Sequence, residues 1–266
     1  MKTLCFTNNK GGVGKSTSAA SVAAYLALEA NLKVLVIDLD PQGNVTGTFI
    51  DKIKTKLTKT AYDVLKNKRV KEYIIDTSID NVKLIAANLK LDNANIELAT
   101  SFSRESILKR CLTEIENEFD VCVIDTAPTL SVLTFNGLVA SDSIYIPVRA
   151  GGYELDGMSN LIQVIKDIQD VPENKTKISG IFFTHFMPNQ NLSKIVKDEI
   201  EEKFMPVMNS YIRTNVALSE STFAGQTIYQ YSPKSNGAKD YEDLTKEIME
   251  IENIIPNNSN KEKVDK

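Results

Sequence analysis

Nine consecutive residues, Asn9-Lys10-Gly11-Gly12-Val13-Gly14-Lys15-Ser16-Thr17, carry the clearest chemistry in the chain. Glycines let backbone N–H groups turn inward around an anion, and a helix that starts where such a turn ends adds partial positive charge. The spacing nearly fits the phosphate-binding loop G-x4-G-K-[ST], with Asn9 where the first glycine would stand. In that frame residues 11–17 (Gly11, Gly12, Val13, Gly14, Lys15, Ser16 and Thr17) wrap a nucleotide's phosphates. Lys15 reaches the β- and γ-phosphates, and the Ser16 hydroxyl ligates Mg²⁺. Two acidic segments, Asp38-Leu39-Asp40 and Asp125-Thr126-Ala127-Pro128, each close an apolar run. Carboxylates at such strand ends face the ligand crevice of open parallel sheets, and Asp125 is placed to hold Mg²⁺, through water. Phosphoryl transfer needs positioning and charge stabilisation more than covalent chemistry, so lysines, Mg²⁺ and one water-orienting carboxylate suffice.

The elements that must position these groups follow from short apolar runs alternating with helical patterns. Runs at 3–7, 33–38, 81–86, 121–125, 143–148 and 178–184 predict at least six strands. Helical patterns fall at 16–30, 103–118, 129–140, 155–169, 192–204 and 235–253. The alternation indicates an α/β fold: a mostly parallel sheet flanked by helices on both faces, of the phosphate-loop NTPase kind. With 266 residues and no internal repeat or long linker, residues 1–255 read as a single domain. Residues 256–266 read as a polar, disordered tail.

Composition narrows the classes. No run of about 18 apolar residues exists, which excludes a spanning helix, and the N-terminus turns polar too early for a signal peptide. Three cysteines without C-x-x-C spacing (Cys5, Cys111, Cys122) argue against a disulfide framework or a zinc site, so a reduced, cytoplasmic setting is expected. Net charge is −4, yet residues 52–71 hold eight basic side chains against one acid. Screening limits the reach of distant charge to about 8–10 Å. That stretch is therefore either a solvated face or a local phosphate-binding one.

The string Lys-Gly-Gly-Val-Gly-Lys-Ser-Thr over 10–17 resembles the deviant Walker A loop of the ParA/MinD group of ATPases. Resemblance to the ParA/Soj partition ATPases extends over about 1–253. It is carried by 37–47, 96–98, 103–110, 125–136, 146–159, 212–226 and 231–241. It implies ATP and Mg²⁺ as ligands, with Lys10 crossing an ATP-dependent homodimer to the partner's nucleotide. It also implies that Asp40 positions the attacking water and that Asp38 supports the Mg²⁺ hydration shell. Residues near Met187, Ile212 and Arg213 would receive the adenine. The implied cycle is non-specific DNA binding by the dimer, slow hydrolysis stimulated by a ParB-like centromere-binding partner, and release. The protein would be cytoplasmic, nucleoid-associated when ATP-bound, and without the N-terminal helix-turn-helix domain of some relatives.

The chain departs from the family at two positions where DNA-contacting arginines are common, here Asn189 and Ala217. Either Lys194, Lys197 and Arg213 substitute, or the basic stretch with Lys52, Lys54 and Lys56 supplies the contacts. Three other readings compete. A MinD-like membrane cycle would need a basic amphipathic C-terminus, whereas residues 240–252 are acid-rich. An iron–sulfur ATPase would need two suitably placed cysteines per protomer. An ATP-switched positioning scaffold for another cargo would use the same motor chemistry.

Overall fold

The computed structural model describes residues 1–51, 55–150, 155–171 and 174–257. Among these, eight strands form one sheet: β1 (Lys2–Phe6), β2 (Val34–Leu39), β3 (Ile75–Asp76), β4 (Val82–Ile85), β5 (Val121–Thr126), β6 (Ser143–Arg149), β7 (Lys177–Phe186) and β8 (Val207–Arg213). Their order is β3-β4-β2-β5-β1-β6-β7-β8, parallel throughout except for the β3 edge, which runs antiparallel to β4. The helices are α1 (Lys15–Leu28), α2 (Asn44–Phe49), α3 (Ala61–Asn67), α4 (Asp92–Glu97), α5 (Ile107–Leu112), α6 (Val132–Ala140), α7 (Leu155–Gln169), α8 (Asn191–Lys203), α9 (Val216–Phe223), α10 (Ile228–Tyr231) and α11 (Asn236–Glu252).

Continuous apolar strands demand cover on both faces, and they receive it. Along β2, Val34 and Val36 join the apolar layer of α1 and α11, while Leu35, Ile37 and Leu39 join the layer of α3, α5 and α7. Each fully buried side chain of this kind contributes about 1.5–3 kcal/mol. The expected α/β architecture is thus the observed one.

Some elements differ from the sequence reading. The helix expected over 103–118 is broken: α5 keeps only its middle, flanked by 3₁₀ turns at Arg104–Ser106 and Thr113–Ile115. Asn136 on α6 takes up backbone groups at the first of these breaks. Its side chain accepts from the Leu108 N–H (3.0 Å) and donates to the Arg104 carbonyl (2.8 Å). Strand β8 mixes polar and apolar residues at the sheet edge, and β3 is two residues long, so neither carries a clear apolar run. Of the expected tail, Pro256 and Asn257 are described and residues 258–266 lie outside the described residues. The Asn257 N–H donates to the Ala30 carbonyl (2.9 Å), so the packed chain extends past 255.

At the sheet edge where β1 begins, α11 is latched by a buried carboxylate. Glu252 accepts from the Tyr145 hydroxyl (2.8 Å) and pairs with Lys2 (2.8 Å). Burial works to raise its pKa. The Lys2 ammonium and neighbouring hydroxyls, led by Ser143 and Tyr145, more than reverse this and hold it at about 2. A depressed carboxyl contributes stability above its unfolded pKa that is lost only as pH falls through the folded value, here from about 4.5 towards 2. Glu252→Gln is therefore expected to cost about 2–3 kcal/mol at pH 7. Urea unfolding checks it: wild-type and variant curves should converge near pH 2, and equal stability at pH 7 would show that the latch contributes nothing.

Candidate nucleotide site

Strand register assembles the site. Phe6 at the end of β1 and Asp38 near the end of β2 both pair with Asp125 on β5, the strand between them. The loop leaving β1 therefore runs beside both acidic strand ends. Asn8 fixes its start: its amide donates to the Pro147 carbonyl on β6 (2.7 Å) and its oxygen accepts from the Lys10 N–H (3.0 Å). Gly14 closes the turn at φ 85°, a left-handed conformation that strains any L side chain. Helix α1 begins directly after it, at Lys15.

Inside the loop, Lys15 is buried and its Nζ donates to the Lys10 carbonyl (2.9 Å). The backbone of Lys10 is thus held at both its N–H and its carbonyl, while the residue lies exposed on the loop's rim. Burial lowers the Lys15 pKa, and the Asp125 and Asp40 carboxylates oppose that fall. Ser16 Oγ donates to Asp125 Oδ2 (2.7 Å). Burial drives Asp125 well above the ordinary carboxylate range and Asp38 adds to the rise, against the pull of Ser16 and Lys15. Asp38, also fully buried, is pushed up to about 6 by burial, despite hydrogen bonds from Thr46 and the Asp40 N–H.

Asp40 and Asp125 therefore face one buried ammonium, with Asp38 beside the two carboxylates, and the group is short of positive charge. Asp125 Oδ1 is buried with no hydrogen-bond partner. Mg²⁺ suits such a place, because it takes one or two protein oxygens and fills its octahedron with waters and substrate phosphates. Ser16 and Asp125 fit as its protein side. Among the described residues no cluster of three or more His, Cys, Asp or Glu could hold a metal unaided. Asp38 spends its oxygens on Thr46, accepting from N–H (2.8 Å) and Oγ1 (2.7 Å), and on the Asp40 N–H (3.1 Å). It thereby fastens α2 to β2. Asp40 accepts from the Gln42 N–H (2.9 Å) through Oδ1, leaving Oδ2 without a hydrogen bond. Thr126 is turned inward, its hydroxyl donating to the Phe6 carbonyl (3.1 Å).

A cavity of about 340 Å³ opens beside Gly14 and Thr17, lined also by His185, Ile212, Arg213 and Leu218. Its volume lies in the range of small-ligand sites. Ile212 and Arg213, expected to receive the adenine, both line this cavity. Met187 does not line this cavity but the adjoining depression with Pro188 and Asn189, to which Arg213 is common. His185, the single histidine and the last residue but one of β7, adopts a left-handed conformation (φ 51°) on the cavity wall. Asp240 on α11 holds Arg213 in place, receiving its N–H (2.9 Å) and its guanidinium Nε (3.0 Å to each oxygen). Tyr241 shares a hydrogen bond with Ser18 on α1 (3.0 Å). The loop after α9 also touches α2: Gly225 (φ 64°) comes so close to Gly47 that a Cβ there would lie 2.9 Å from the Gly47 carbonyl oxygen.

Sequence reasoning missed Asn8, Thr46, Asp240 and Tyr241. The one available signal was the Asp38-x7-Thr46 spacing within the segment that follows β2.

The candidate DNA contacts are scattered. Lys194 is exposed on α8 and Lys197 is paired with Glu201 (3.5 Å) on the same helix. Arg213 is committed to Asp240. Lys56 is exposed ahead of α3, and Lys52 and Lys54 lie outside the described residues. All three cysteines are free and buried, which leaves the iron–sulfur reading without accessible ligands. Among the described residues no helix is long and apolar enough to cross a membrane.

Comparison with known proteins agrees with this geometry. Residues 1–178 match the family model described as an AAA domain. Over 250 residues the chain is 37% identical to the chromosome-partitioning ATPase Soj of Treponema pallidum, covering 93% of this chain and 97% of that one. Its fold is similar to that of a cobyrinic acid a,c-diamide synthase from Mycobacterium smegmatis with a bound ATP analogue and magnesium (TM-score 0.83, 28% identity, 96% of each chain). It is also similar to a plasmid partition protein from Borrelia burgdorferi bound to AMPPNP (TM-score 0.79, 26% identity, 94% of this chain and 98% of that one). With its phosphate loop, paired acidic strand ends and 37% identity to Soj over nearly its full length, the chain belongs to the Soj/ParA family of partitioning ATPases.

Proposed function

We propose that this protein is a DNA-partition ATPase that dimerises around ATP and Mg²⁺, binds DNA without sequence preference and hydrolyses ATP slowly until a ParB-like partner stimulates it. The carrying observation is the division of labour between two lysines five residues apart. Lys15 is buried and serves its own loop, whereas Lys10 has its backbone fixed and stands on the exposed rim. A triphosphate carries more charge than one buried ammonium can balance, so a second lysine offered across an interface couples dimer formation to the γ-phosphate.

In the loaded site residues 11–17 wrap the phosphates, Ile212 and Arg213 bound the base, and Ser16 and Asp125 hold Mg²⁺, with Asp38 bracing that site from behind. When bound, the ion neutralises charge on the β- and γ-phosphate oxygens. Asp40 orients the attacking water. The ATP-bound dimer would gather on the nucleoid within the cytoplasm.

Light scattering coupled to size exclusion, with and without ATP and Mg²⁺, tests the reading. The wild type should shift from monomer to dimer with ATP, and retain random-sequence DNA only in that state. Lys10→Ala should bind ATP within about threefold of wild type yet stay monomeric, with turnover reduced at least ~100-fold, the low end for loss of one charge-stabilising group. Normal dimerisation and turnover of Lys10→Ala would remove the crossing role.

A further inference from the structure

Two fastenings place the start of α3, and Lys59 just ahead of it, at a definite end of the parallel strands. Thr46, pinned to Asp38 at the end of β2, accepts through its hydroxyl from the Ala87 N–H (2.8 Å). The first residue of α3, Ala61, donates its N–H to the Ala86 carbonyl (2.7 Å). The start of α3, and Lys59 just ahead of it, therefore lies just past the end of β4, next to the residue that Thr46 anchors, whereas α2 ends at Phe49, whose carbonyl accepts from the Ser78 N–H (3.1 Å) ahead of β4. Because β4 runs parallel to β2, the end of β4 is also the end of the sheet that carries Asp38, Asp125 and the phosphate loop.

Charge at this end is not cancelled locally. Lys56 and Lys59 are exposed, and neither has an acidic partner among the described residues. The one acid of the stretch, Asp63, is spent on capping α3, receiving the N–H (3.0 Å) and hydroxyl (2.8 Å) of Thr60. Further along, Lys66, Arg69 and Lys71 pair with Glu97, Glu72 and Glu118. The competing surface is self-neutralised. Helix α8 holds three lysines against four acids, Lys197 and Lys203 pair with Glu201 and Glu199, and Arg213 belongs to Asp240.

We propose that the segment 55–60, through Lys56 and Lys59, is the surface that grips DNA phosphates, in place of α8. The inference rests on the DNA-binding reading above and gives it a location. Since α3 starts on Ala86, next to the Ala87 that Thr46 anchors, DNA would be held towards the nucleotide end of the strands.

Fluorescence anisotropy with a random-sequence duplex, ATP and Mg²⁺, across a potassium chloride series, tests it on the full chain. Lys56→Glu combined with Lys59→Glu should weaken binding at least tenfold. Lys56→Gln with Lys59→Gln should flatten the slope of log K against log salt by about 1.8 per protomer, at about 0.9 per lost contact. Lys194→Glu with Lys197→Glu should change affinity less than twofold, and thermal melting checks that each variant is folded. Unchanged affinity and slope in both 56/59 variants overturns this inference while leaving the DNA-binding reading intact. Wild type that ignores the duplex but pellets with phosphatidylglycerol vesicles overturns both.

Discussion

Lys15→Ala is expected to abolish ATP binding, with Kd raised at least about 100-fold, equivalent to about 2.7 kcal/mol. Two effects combine. The variant loses a charge-assisted bond to the phosphates in a desolvated place, where such bonds are strongest. It also frees the Lys10 carbonyl that Lys15 Nζ holds, so the loop is no longer preset for its ligand. The fold should survive, because the substitution removes a buried charge whose desolvation is itself unfavourable. Titration of a fluorescent ATP analogue, alongside a melting curve, measures both. A folded Lys15→Ala variant that binds within threefold of wild type would end the phosphate-loop interpretation.

Asp40→Ala should have the opposite profile. The variant is expected to bind ATP as wild type does, and to accumulate as an ATP-bound dimer whose turnover falls at least 100-fold. Asp40 is nearly buried, braced by the Gln42 N–H, and keeps one oxygen without a hydrogen bond. That suits a group that orients a water rather than one that props up the fold. Removing it also takes a negative charge from the surroundings of Lys15, which favours retention of the polyanion. Phosphate release and light scattering on the same sample decide the matter. A monomeric Asp40→Ala variant in saturating ATP, or one hydrolysing at the wild-type rate, would contradict the role.

The phosphate loop was readable from the chain because its chemistry dictates residue types: glycines for inward N–H groups, a lysine for charge, a hydroxyl for the metal. Asp38 and Asp125 were readable because each ends an apolar run, and that position in a parallel sheet puts them in the crevice. What could not be read depends on tertiary pairing. Nothing local marks Asp240 as the partner of Arg213, which lies 27 residues away, or ties Ala87 to Thr46. Asn136, which takes up backbone groups at the break in the 103–118 helix, is likewise a side chain on another element. Nothing local assigns Met187, two residues past His185, to the neighbouring depression rather than to the cavity. Lys194, Lys197 and Arg213 entered as stand-ins for the arginines absent at Asn189 and Ala217, and the 52–71 stretch by its charge; the ion pairs of α8 and Arg213 are what the sequence did not display.

The contact between Gly225 and Gly47 ties the turn after α9, a helix that lines the cavity, to α2, which trails from the strand carrying Asp38 and is fastened to it through Thr46. With backbone meeting backbone there is no side chain to give way, so a lone methyl added at Gly225, 2.9 Å from the Gly47 carbonyl oxygen, would act as a wedge between the two.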